Sequence, residues 1–93
     1  MDIIYLDKKH RAKNDGFAWI PQWKGLLFWH NYTLWIADTC MGNAVLYSKR
    51  VTPPSFDTGP NAIRFIERTL STGKDREYHL DDENEYLPGL RSW

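Results

Sequence analysis

Residues 17–47, FAWIPQWKGLLFWHNYTLWIADTCMGNAVLY, decide the fold of this chain. They hold four of its five tryptophans, Trp19, Trp23, Trp29 and Trp35. Aromatic and β-branched residues recur faster than a helix requires, and Pro, Gly and Asn divide the stretch every few residues. This pattern predicts an antiparallel sheet rich in indole rings. Within it, Tyr32, Leu34, Ile36 and Asp38 share one face of a strand, and Thr33, Trp35 and Ala37 share the other. A buried helix over Leu26–Ala37 is the competing reading, and the Tyr, Thr, Trp, Ile and Phe content favours strand.

Working outward, Phe17–Ile20 reads as a strand ended by Pro21, which has no N–H to give to a ladder. Pro21–Gly25 then reads as a five-residue hairpin loop. Gly25 is available for positive φ, and Trp23 sits at the loop tip, either folded back over the sheet or presented to a partner. Leu26–Trp29 and Tyr32–Asp38 are the next strands, joined by a tight turn at His30-Asn31. Gly42-Asn43 marks the following turn, and Ala44–Ser48 is the last central strand. Ahead of the sheet, Ile3–Leu6 is a short β-prone run. Asp7–Asp15 reads as a polar loop. Its Lys8, Lys9, His10, Arg11 and Lys13 are either solvated or a small anion-binding patch.

After Thr52-Pro53-Pro54-Ser55 a helix is expected over about 60–72. Asp57, Thr58 or Gly59 caps it, Pro60 occupies its first turn, and Gly73 stops it. Ala62, Ile63, Phe65, Ile66, Thr69 and Leu70 fall within a sector of roughly 160°, the stripe that packs on a sheet. Arg64 and Arg68 lie one turn apart on the opposite side, where they can reach one carboxylate or phosphate together. The last segment, 74–93, contains a short edge-strand pattern at Glu77–Leu80 and an acidic turn at Asp81–Glu85. An apolar arm follows, with Tyr86, Leu87, Leu90 and Trp93 around Pro88-Gly89. The arm is either a strap on the domain or a peptide-like element for a partner. The fold class is therefore α+β: one antiparallel sheet of about four to five strands, one amphipathic helix on one face, and an irregular C-terminal arm.

Ninety-three residues make one small domain, residues 1–93, long enough to bury roughly 60–65% of its unfolded surface. Twelve basic and twelve acidic residues cancel, which argues against a general nucleic-acid binder. The balance is uneven: residues 71–93 carry a net −3, residues 16–70 a net +2. The single cysteine, Cys40, forms no intramolecular disulfide. The N-terminal apolar run is too short for a signal peptide, and no run approaches a membrane span, so a cytoplasmic protein without membrane partners is expected.

No catalytic set emerges. His10, His30, Cys40 and His79 lack paired metal-ligand spacing, so neither a metal nor a cofactor is expected. Acidic Asp38 beside Cys40 raises rather than lowers a thiol pKa. His30 and Asp38 would stand about 20 Å apart along a strand. The expected function is a non-enzymatic protein-binding module. A domain of this size would act as an inhibitor or adaptor that occupies another protein's surface, as small phage and mobile-element proteins do. The candidate contacts are Trp23, Arg64, Arg68 and the arm residues Tyr86, Leu87, Leu90 and Trp93, since Trp, Tyr and Arg favour interfaces. The second reading is a small-ligand, nucleotide or single-stranded nucleic-acid binder, with indole rings beside Lys8, Lys9 and Arg11. A small anionic ligand and a homodimer are compatible with it.

Overall fold

The computed structural model describes residues 2–41, 44–74, 76–80 and 86–91, with the side chains of 38–49 not described. Seven strands and one helix follow in the order β1 (Ile3–Tyr5), β2 (His10–Asn14), β3 (Trp19–Lys24), β4 (Trp29–Asn31), β5 (Thr33–Met41), β6 (Ala44–Val51), α1 (Gly59–Ser71) and β7 (Glu77–Leu80). The first four make an antiparallel sheet in the order β1-β2-β3-β4. The rest make a second, three-stranded sheet, β6-β5-β7, in which β7 is an edge strand running parallel to β5. The α+β class thus holds, with one helix packed against the four-stranded sheet and a second sheet beyond the single one expected. Buried Tyr32 separates β4 from β5, so the chain passes from one sheet to the other through the core.

Several boundaries differ from the sequence reading, and Pro21 explains most of them. It does not end β3 but sits inside it, opposite Ala12. Trp19 and Phe56 exchange both backbone hydrogen bonds, at 2.8 and 2.9 Å. By two-residue alternation the Pro21 nitrogen points to the same side, into the gap between Phe56 and β4. Only its carbonyl is needed there, and it accepts from the Tyr32 amide at 3.1 Å. With β3 continuing to Lys24, Trp23 is a strand residue rather than a loop tip. The turn moves to Gly25–Phe28, closed by the Gly25 amide donating to Phe28 O at 2.8 Å. His30 and Asn31 are then strand, not turn. Gly25 has no positive φ; its lack of a side chain matters because a Cβ would lie 2.7 Å from His30 Nε2.

Nor is Asp7–Asp15 a loop throughout: His10–Asn14 is β2, paired with β1 and β3. Alternation was masked because its outward residues, Arg11 and Lys13, are cations and its inward residue, Ala12, is small.

Thr58 caps α1, its Oγ1 accepting from the Asn61 amide at 3.3 Å, and Pro60 fills the first turn. Ala62, Phe65, Ile66 and Thr69 are buried, as the stripe requires. Phe65 is the hub of the core: the Tyr32, Phe56 and Tyr78 rings stand 5.8, 5.2 and 5.7 Å from it. Leu34, Leu80, Ala12 and Leu87 complete the cluster. Such rings add about 0.5–1.5 kcal/mol per pair beyond their area burial.

The register gives the four-stranded sheet two unlike faces. Ile4, Ala12, Trp19, Pro21 and Trp23 lie on the helix side. Tyr5, Arg11, Lys13, Gln22, Lys24, Trp29 and Asn31 lie on the other.

Candidate functional site

The chemistry-bearing side chains gather at the β3–β4 end of the four-stranded sheet. Leu26, Leu27 and Phe28 occupy the turn and are 95%, 73% and 70% exposed. The sequence reading placed them in a strand; the fold projects them into solvent, because β3 and β4 pair only from Lys24 and Trp29 inward. Three large apolar neighbours in one hairpin tip form a contiguous patch, unlike scattered surface leucines.

Beneath this tip lies an open groove of about 440 Å³, lined by Lys9, His10, Trp23, Lys24, Gly25, Leu26 and Arg76. Trp23 stacks on His30 at 4.5 Å between centroids, and the Arg76 guanidinium stands 4.5 Å from the Trp23 ring. His10 is held by Asp7: its Nδ1 donates to Oδ1 at 2.8 Å and Oδ2 at 3.0 Å. A carboxylate only accepts, so the neutral ring carries its proton on Nδ1 and leaves Nε2 as an acceptor. Burial pushes the Asp7 carboxyl up, but hydrogen bonds from the Lys9 amide and His10, with the charge of His10, outweigh it. The result lies below the ordinary carboxyl value. The groove lining holds cations and an indole but no hydroxyl or thiol. Its cations and its indole suit an anion or a planar ring. The Asp7–His10 pair escaped the sequence reading, although their spacing of three residues across a tight turn was the available signal.

On the opposite face, the Arg11 guanidinium lies 4.1 Å over Trp29 and Lys24 Nζ 5.4 Å from the same ring. Tyr5 meets Trp29 edge-on at 6.1 Å. Arg11 Nε donates to Gln22 Oε1, and Gln22 Nε2 to Asn31 Oδ1, both at 2.8 Å. This chain of hydrogen bonds fixes the guanidinium on the indole.

The remaining candidates are dispersed. Lys8 lies exposed in the β1–β2 turn; Lys9 joins Trp23 in the groove, while Arg11 is on the other face. Arg64 and Arg68 border a small cleft of about 50 Å³ with Phe56, Phe65 and Leu87, beside the arm. Arg68 Nη1 donates to Tyr86 O at 3.0 Å, which ties it to the arm. Leu87 is 3% exposed in the core, and Leu90 bridges to Phe56. These two serve the strap reading of the arm, in which the Asp57 amide donates to Gly89 O and the Arg91 amide to Ser55 O. Tyr86 remains exposed. Trp93 and the acidic turn 81–85 lie outside the described residues.

On the outer face of the second sheet, Trp35 stacks on His79 at 6.4 Å and donates from Nε1 to Glu77 Oε2 at 3.0 Å. Among the described residues no group of three or more His, Cys, Asp or Glu could hold a metal ion, and no helix is long and apolar enough to cross a membrane. No family model, curated protein or solved structure gives a significant match to this chain.

Proposed function

We propose that this protein is a non-enzymatic protein-binding module, an inhibitor or adaptor by type, and that it docks through the apolar β3–β4 tip. The exposure of Leu26, Leu27 and Phe28 carries the reading. Each such side chain gains about 1.5–3 kcal/mol on full burial. The fold leaves that gain unused, so a partner with a complementary cleft collects it. The tip is preorganised: its turn is closed by a backbone hydrogen bond, and its base is fixed by the Trp23–His30 stack. Little conformational entropy is then lost on docking. Lys9 and Arg76 line the groove at its base and favour a cleft with an acidic rim.

The test is native mass spectrometry of tagged protein drawn from host lysate, wild type beside the triple variant Leu26→Ser, Leu27→Ser, Phe28→Ser. The variant should keep its far-UV spectrum and most of its Tm, since the three side chains are largely exposed, and should lose a stoichiometric protein companion that the wild type retains. A companion held equally by both, or by neither, would reject the tip as the docking element.

A further inference from the structure

The outer face of the four-stranded sheet carries a charge that the neutral chain conceals. Register places Arg11, Lys13 and Lys24 there with the Tyr5 and Trp29 rings, and no Asp or Glu among the strand residues of that face. Among the described residues, ion pairs with carboxylates involve His10 and His79 and none of these three cations. The helix packs on the other side, and this face is open at its β1 edge and its hairpin end, where Tyr5 is 57% exposed and Lys24 is exposed, while Ile20 beside Lys13 is buried. We propose that this face binds an unpaired nucleic-acid strand. Its bases stack on the Tyr5 ring and on the Arg11–Trp29 stack, and its phosphates are held by Lys13 and Lys24.

Three features argue for this occupant over an acidic protein. The Arg11 guanidinium carbon stands 4.1 Å from the Trp29 ring centroid, its Nε donating to Gln22. A guanidinium fixed beside an indole offers a base a cationic stacking surface. Tyr5, edge-on to Trp29, presents a second ring 6.1 Å away. Strand-binding sheets combine such rings with cations that track the backbone, and this pairing tolerates any base because every base has a π-face. The charge is local, so overall neutrality limits binding to duplexes and long polyanions while leaving this face attractive to a short single strand.

Fluorescence anisotropy of a fluorescein-labelled oligothymidylate of about 15 nucleotides tests this, with the matching oligouridylate and a duplex alongside. The wild type should bind the single strands, the duplex more weakly, and log affinity should fall with log salt with a slope of about −1.4 (about 0.7 per phosphate over the two lysines). Lys13→Glu with Lys24→Glu should weaken binding at least about tenfold. Tyr5→Ala, at an exposed side chain, should weaken it about fivefold or more while the far-UV spectrum stays that of the wild type. Absence of binding at low salt, equal affinity for the duplex, or unchanged affinity in both variants would overturn the proposal. Full displacement by poly-glutamate with no response to Tyr5→Ala would overturn it in favour of an acidic protein.

Discussion

Phe65 shows how much of this small fold rests on single side chains. It joins the helix to both sheets through Tyr32, Phe56 and Tyr78, and among the described residues no other meets so many core rings. Phe65→Ala should lower unfolding free energy by about 3–5 kcal/mol, measured by denaturant titration, because the rings around it leave a cavity they can only partly collapse. Asp15 works through charge instead. It accepts the Phe17 and Ala18 amides at 2.9 Å each, and these hydrogen bonds hold its carboxyl below the ordinary value of 3.8. A carboxyl depressed in the folded state contributes stability in full above its ordinary value, and loses it as pH falls through the folded-state value. The Tm of wild type should therefore exceed that of Asp15→Asn by a constant margin near neutral pH. That margin should shrink below about pH 3.8 in thermal melts. A margin unchanged into strong acid would show that the amide contacts do not depend on the charge. The helix stripe was legible at this scale, and the cap was narrowed to Asp57, Thr58 or Gly59, of which the fold uses Thr58, since periodicity and capping chemistry are local. The Asp7–His10 pair was legible only in hindsight, because a three-residue spacing forms a pair solely when the turn between is tight.

Among the elements, the β3–β4 hairpin carries the functional argument, and its tip depends on Gly25. A Cβ there would meet His30 Nε2 at 2.7 Å and Cδ2 at 2.8 Å, so Gly25→Ala should push the imidazole off Trp23. The expected cost is about 1–3 kcal/mol of overpacking. The ring-current shift of the His30 protons in NMR spectra should also be lost. An unshifted His30 would mean that the backbone yields instead. The hairpin was misread from sequence because its turn is apolar: turn chemistry is normally Gly, Asn, Asp and Pro, and Leu26-Leu27-Phe28 has none of these. The same stretch looked like a buried strand to any reading based on hydrophobicity. Its exposure is what makes it informative, because folding alone does not require it.

The whole molecule is held closed by its last described segment. Gly89 has φ 76°, and a Cβ on it would strike the Asp57 and Asn61 side chains. Beside it, Leu87 enters the core and Arg91 Nη1 reaches Phe17 O at 3.0 Å. Removal of residues 86–93 should therefore cost several kcal/mol, since burial of a leucine alone is worth about 2–5 kcal/mol against alanine. A large fall in Tm is expected, with ring contacts around Phe65 loosened in NMR spectra. A truncated chain of unchanged Tm would return the arm to the role of a partner element. The two sheet faces and the hairpin end then divide the surface: the helix covers one face, the cationic aromatic face is open at its β1 edge and hairpin end, and the apolar tip projects between them.

By itself, the sequence determined the class of the fold, the helix with its buried stripe, the alternation in Thr33–Ile36 and the edge strand at Glu77–Leu80. Each of these follows from local periodicity or capping, which act over a few residues. Tertiary structure alone decided that β3 passes through Pro21, that Leu26–Phe28 project into solvent, and that Arg11, Lys13 and Lys24 share a face with Tyr5 and Trp29. Those outcomes depend on which strand lies beside which. A proline is tolerated only where its neighbour needs no N–H, and side chains far apart in the chain share a face only when register aligns them.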